Sequence, residues 1–458
     1  MRSFVISSLA LVLSTATILD LGALEAVENQ NSKVRNPPPT MEQIADQLTP
    51  YTGPSEPGID VRSLKGKIFA GYQGWFNTPT DGAGHGWFHY QKGKIFSPGN
   101  CVIDMWPDVR ELPPEERYST DFRFNDGSTA EVFSSYNPGT VRLHFQWMKE
   151  YGIDGGLLQR FATRLRNPRL LARDNVVLRN VQAAANQNGR GWSVMYDLSS
   201  LNSEHYDVVI EDWRMLVTRM KLGRDPGDKA YLKPGGKPMV VLWGVGFGKE
   251  SRGDPMANLL AAERVIDFLK DDPECGGNFV SLGVPYRWLD RQSDAMADPE
   301  LHRVLGKADL ISPWAVGRYR ADVKETLLKD RRIIPDLQWC KERGIRYMPV
   351  VFPGFSWQNL KGPDRPFDEI PRNKGEFLWK QGRAAVAAGV ETIYVAMFDE
   401  VNEATAIFKC LDHPPEGESQ FLTMEGLPSD HYLWLTGMLG KMLRGEMPAD
   451  SPIPPRKP

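Results

Sequence analysis

Eight short, nearly unbroken apolar runs recur along this chain, with longer segments of helical periodicity between them. The runs are "KIFAGYQ" (67–73), "DGGLLQRF" (154–161), "GWSVMYDL" (191–198), "PMVVLWGVGF" (238–247), "NFVSLGVP" (278–285), "DLISPWAV" (309–316), "YMPVVFPGF" (347–355) and "TIYVAMF" (392–398). A half-exposed strand alternates apolar and polar residues. Runs this continuous belong to strands covered on both faces, as parallel strands flanked by helices are. Segments such as "DNVVLRNVQAAANQNG" and "DPMANLLAAERVIDFLKDD" carry apolar residues at three-and-four spacing, and several end in glycine. Eight such units predict an α/β fold, a (β/α)8 TIM barrel, with "HYLWLTGMLGKMLRG" closing the ring. The rival is an open doubly wound sheet. Against it, "GYQGWFNTPTDGAGHG" has glycines at the wrong spacing for a phosphate loop, and no helix follows.

A barrel fixes where to look, because active sites gather at the C-terminal ends of its strands. Those ends carry Tyr72, Gln73 and Trp75; Gln159 and Arg160; Tyr196 and Asp197; Trp243; Tyr286 and Arg287; Trp314; Phe355 and Trp357; and Asp399, Glu400 and Glu403. Any one of these is as readily structural as functional. Their recurrence describes a cleft for a polar, ring-shaped ligand, and the chain's many aromatic rings suit the apolar faces of sugars. The connection 76–137 is longer than βα loops usually are, so a structured insertion after the first strand is expected. Asp104 within it is a candidate substrate contact, with hydrogen bonding inside the insertion as the alternative.

Residues 1–26 place Arg2 before an apolar stretch and end in small residues near Ala26, the pattern of a signal peptide. The protein is therefore expected to be exported, either periplasmic or secreted. Residues 27–57 read as a flexible polar, Pro-rich leader, 58–446 as the catalytic barrel and 447–458 as a Pro-rich tail. No later window is apolar enough for a membrane span. No separate amphipathic or coiled segment asks for a partner, so a monomer is expected. A net charge of -3 without any Lys/Arg block argues against nucleic-acid binding. The 4 cysteines are far apart; export permits one or two disulfides, and free core thiols fit as well.

Among 7 histidines there is no HExxH pair, and His85 and His89 sit in a Gly- and Trp-rich segment, so no metal or cofactor is expected. A GxSxG elbow and a papain-like cysteine are absent. Carboxylate chemistry remains. Glycoside cleavage uses one protonated acid and a second carboxylate as nucleophile or base. If the chain turns helically after Phe398, three-residue spacing brings Glu400 and Glu403 to one face. Their repulsion in a cleft then raises one pKa. A capped helix with solvated glutamates fits the same residues.

The stretches "FAGYQGWFNTP", "YGIDGGLLQRF", "WGVGF", "SPWAVGRY", "MPVVFPGFSWQNL", "IPRNKGEFLWKQ" and "YVAMFDEVNEATAIFK" span most of the chain. Through them it resembles bacterial proteins like glycoside hydrolase families 71 and 99, including some labelled xylosidase/arabinosidase. More remotely it resembles the family 99 endo-α-mannosidases, whose motif F-N-E-W-H-E-G-T aligns with residues 398–405. That resemblance implies a hydrolase acting on an oligo- or polysaccharide. Glu400 would activate the sugar 2-hydroxyl to form a 1,2-anhydro intermediate, and Glu403 would act as general acid and then base. The chain departs from the motif at Asp399, Val401 and Asn402. The alternative is a carbohydrate-binding protein or pseudoenzyme with the same groove, and a lyase or esterase is a third class.

Overall fold

The computed structural model describes residues 37–249 and 251–456, so the expected signal peptide lies outside the described residues. The barrel strands are β1 (Lys67–Tyr72), β2 (Gly155–Phe161), β3 (Gly191–Asp197), β4 (Met239–Trp243), β5 (Phe279–Val284) and β6 (Leu310–Pro313). Then come β7, in two halves (Arg346–Tyr347 and Val350–Val351), and β8 (Thr392–Val395). All neighbours pair in parallel. The first half of β7 pairs with β6 and the second with β8, so one interrupted strand closes the ring of eight. Pro349 causes the interruption, since it has no N–H to give. The ladder continues around it: the Met348 N–H donates to the Ile311 carbonyl and the Tyr394 N–H to the Pro349 carbonyl.

Local chemistry sets the helix ends. The helix Pro168–Asn188 starts behind Asn167, whose side chain accepts the Arg169 and Leu170 N–H groups, and stops at left-handed Gly189. Asp254 caps Pro255–Asp271 in the same way.

The strands divide the core by side-chain parity. Phe69, Leu157, Met195, Val241 and Tyr394 pack together inside the barrel. Their neighbours Ile68, Leu158, Val194, Leu242 and Ile393 pack outward against the helices. The expected insertion is present and carries an antiparallel hairpin, Tyr118–Arg123 with Thr129–Val132.

The leader differs from expectation. Residues Met41–Asp46 form a helix behind a Thr40–Gln43 capping box, and Ile44 and Leu48 are buried. The Tyr51 N–H donates to Asp225 and the Ser55 hydroxyl to Asn186, which ties this segment to the barrel. All four cysteines are buried free thiols. Among the described residues no helix is long and apolar enough to cross a membrane.

Candidate active site

β8 ends at Val395, and residues 401–404 form a turn rather than the helical turn the spacing suggested. The turn is pinned from several directions. The Thr405 and Ala406 N–H groups donate to the Glu400 carbonyl at 3.1 and 3.0 Å, and the Phe398 N–H reaches the Gly71 carbonyl of β1 at 2.7 Å. From the insertion, the Asp104 and Met105 N–H groups converge on the Val401 carbonyl; from the β7 loop, the Ser356 N–H donates to the Glu403 carbonyl. The buried Arg372 guanidinium bonds the Ala404 and Ala406 carbonyls, both at 2.7 Å. A loop with so many of its peptide groups engaged holds its side chains in fixed places.

Glu400 and Glu403 are each only 4% exposed. Burial pushes both carboxyl pKa values up, and each is electrostatically coupled to a neighbour. Glu400 is raised well above the usual range by burial, then by Glu403 and by Asp399, with Gln73 and Thr405 partly offsetting this. Glu403 is raised to about 7 by burial, while the Lys361 ammonium favours its charged form. Near neutral pH Glu400 therefore holds its proton more firmly than Glu403.

Strand parity sorts the remaining candidates. Gln73, Gln159, Asp197 and Trp243 share the inward parity, and three buried polar atoms among them, Gln73 Oε1, Gln159 Oε1 and Trp243 Nε1, have no protein partner. Asp197 keeps one oxygen on the Ser199 N–H and hydroxyl. Trp243 meets Trp314 edge to face, with centroids 5.1 Å apart. Tyr72, Arg160 and Tyr196 have the outward parity, and the expectation that they contact substrate is corrected. The Tyr72 hydroxyl bonds His144 Nδ1 at 2.8 Å, and Arg160 and Tyr196 both bond Asp212 behind the barrel wall.

Four further candidates are engaged within the protein itself. Asp399 is fully buried and accepts the Gln73 N–H at 2.7 Å and the Gly74 N–H at 2.9 Å, with burial raising its pKa to about 6. Asp104 accepts the Ser356 hydroxyl and the Gln358 and Asn359 N–H groups, so it caps the short helix Gln358–Lys361. Trp75 stacks on His89 at 4.0 Å and on Phe161, and its indole N–H is unpartnered. Trp357 is 1% exposed and lies beneath two cations, with its indole N–H on Glu369.

Sequence reading missed Tyr394, Thr405, Lys361 and Arg372. Tyr394 lies mid-strand, where no strand-end rule looks, but its burial and the neighbouring Glu400 charge raise its pKa. It fits inside the barrel because Gly71 stands opposite; a Cβ there would lie 2.1 Å from the tyrosine oxygen. Lys361 follows Trp357 by four residues, and Arg372 sits within the quoted "IPRNKGEFLWKQ". Among the described residues no cluster of three or more His, Cys, Asp or Glu could hold a metal ion.

No protein-family model and no curated protein matches the sequence. Among solved structures the chain is similar to the family 99 endo-α-mannosidase from Bacteroides thetaiotaomicron, with a TM-score of 0.59 and 14% identity over 84% of this chain and 99% of that one. The bis-tris-propane complex of an endo-α-mannosidase from the same organism gives 0.58 and 15%, with the same coverage. The structural likeness is thus to endo-α-mannosidases rather than to xylosidases or arabinosidases. It is a likeness of fold, that of a (β/α)8 barrel.

Proposed function

We propose that the chain is an exported glycoside hydrolase that cleaves O-glycosidic bonds in an oligo- or polysaccharide, with Glu400 and Glu403 as its catalytic residues. The observation that carries this reading is the pair of buried acids just past the end of β8, both with raised pKa values. Glycoside cleavage needs one carboxyl to protonate the leaving oxygen and one charged carboxylate to develop the nucleophile. Burial and mutual repulsion make both forms available at neutral pH. The unpartnered groups of Gln73, Gln159 and Trp243 are suited to sugar hydroxyls, which would satisfy them.

The likeness to endo-α-mannosidases supports an α-linked substrate and retention through a 1,2-anhydro sugar. Glu400 then takes the 2-hydroxyl proton while Glu403 protonates the leaving oxygen and later activates water. This division requires the proton to reside on Glu403 once substrate is bound. A sugar 2-hydroxyl donating to Glu400 stabilises its charged form and moves the proton that way. The test is digestion of a glycan panel, read by product mass and anomeric NMR. A new reducing end without an unsaturated sugar supports hydrolysis, and the first anomer released reports retention. Binding without cleavage would leave a carbohydrate-binding protein instead.

A further inference from the structure

Trp357 was expected to be a sugar platform, yet its ring is covered. The Lys361 ammonium lies 5.2 Å from the ring centroid and the Arg365 guanidinium 5.3 Å. Lys361 is exposed and Arg365 half-buried. Among the described residues neither head group forms an ion pair or a side-chain hydrogen bond. Glu369, the nearby acid bonded within this cluster, is directed at the indole N–H instead. A third cation, Lys92, bonds the Asn359 carbonyl of the same short helix. Asp104 fixes that helix, which carries Lys361, by capping it, and the Gln358 side-chain amide donates to the Arg365 carbonyl beyond it.

Long basic side chains on a surface normally spread into solvent and lose entropy when recruited. Stacking both against one indole ring restrains them beforehand and leaves their N–H donors available. The Ser356 N–H, one residue before Trp357, donates to the Glu403 carbonyl at 3.0 Å, and Lys361 acts electrostatically on Glu403, so this cluster lies beside the acid pair.

We propose that Lys361 and Arg365, braced on Trp357, form a subsite for an anionic substituent of the glycan, a carboxylate or a sulfate, next to the bond being cleaved. This deepens the glycosidase reading and rests on it. It also gives the proton distribution a physical cause: an anion on Lys361 cancels the field that keeps Glu403 charged, so substrate itself raises the acid's affinity for its proton.

The test uses the Glu403→Gln variant, expected to be slowed enough that the glycan survives the titration, and calorimetric binding at low salt. Three ligands share one backbone: uronate-bearing, sulfated, and the neutral reduced or desulfated form. The expected result is roughly three- to tenfold tighter binding of an anionic form, since exposed charge pairs contribute about 0.2–1 kcal/mol each. Which anionic arm binds tighter identifies the substituent. Adding Lys361→Ala and Arg365→Ala should remove the difference, and Lys65→Ala, ahead of β1 at the opposite end of the barrel, should leave it in place. Equal affinity for neutral and anionic forms, or a preference that survives the double substitution, overturns the subsite. In that case, cleavage of the neutral glycan by the unaltered enzyme leaves the glycosidase reading standing. Binding of none of the three overturns both.

Discussion

The Asp399 carboxylate holds the Gln73 backbone N–H at 2.7 Å, and the Gln73 side-chain amide is thereby set beside Glu400 with its oxygen unpartnered. One acid thus joins the end of β8 to the end of β1 and orients a neighbour of the proposed catalytic pair. Its second oxygen on Gly74 makes the clamp bidentate.

Asp399→Asn replaces one of those acceptors with an N–H donor facing a backbone N–H. An unsatisfied buried pair costs about 1–3 kcal/mol, so a lower melting temperature is expected, with turnover reduced at least tenfold as Gln73 shifts. The substitution also removes a negative neighbour that raises the Glu400 pKa. The alkaline limb of the pH–rate profile should therefore move to lower pH. A limb that stays in place means Asp399 does not act on the pair.

The acids themselves separate chemistry from stability. Glu403→Gln should lose about 10²–10⁴ in turnover, the range for a general acid or base, and Glu400→Gln a similar amount. Each removes a buried charge at alkaline pH, so each should melt higher than the unaltered protein at pH 8. In that protein Glu403 loses its proton near pH 7 while Glu400 holds its own to higher pH, so activity should rise through about pH 7 and fall once Glu400 too is charged. Full turnover in either variant would exclude its catalytic role.

How much of this was legible beforehand depends on what each residue's position declares. Continuous apolar runs reveal that strands are covered on both sides, and the ring of eight follows. The same continuity hides parity: with apolar residues on both faces, hydropathy does not show whether Gln159 or Arg160 points inward. Both were taken, and only one shares the lumen's parity. The Asp212 that engages Arg160 lies 52 residues further along, on a helix, where no local pattern announces it. Asp399 and Asp104 drew attention as acids near a strand end and in an insertion. Their partners are backbone N–H groups of other loops, which spacing does not display. The helix at Met41–Asp46 was masked by polar composition, although Thr40 and Gln43 form a readable capping box.

Asp104→Ala tests the cap beneath the proposed anion subsite. It leaves the Gln358 and Asn359 N–H groups without their acceptor. The short helix should fray, with faster amide exchange across 356–361 as the readout. Michaelis constants should rise more than turnover falls, because Glu400 and Glu403 are held by Arg372, Ser356 and Thr405 as well as by the insertion backbone. Unchanged exchange there would mean the cap is dispensable.

Asp336 offers a stability test away from the site. Its buried carboxyl accepts the Trp288 indole N–H at 3.1 Å and the Tyr347 hydroxyl at 3.2 Å. Burial raises its pKa from 3.8 to about 7. A carboxyl whose folded pKa lies above its unfolded value contributes stability that is fully present below the unfolded value and lost as pH rises through the folded one. The unaltered protein therefore carries an unfavourable buried charge above pH 7 that it lacks near pH 4. Asp336→Asn never carries that charge, and its side-chain oxygen still accepts from Trp288 or Tyr347. At about 1.4 kcal/mol per pKa unit the relief is at most about 4 kcal/mol. With the weaker amide acceptor counted against it, a gain of about 2 kcal/mol at pH 8 is expected. The gap should shrink as pH falls from 7 and close only below the ordinary carboxyl value of 3.8, where Asp336 is protonated in the unfolded chain as well. Denaturant melts at both pH values measure it directly; a gap that persists at low pH would trace the gain to packing rather than to charge.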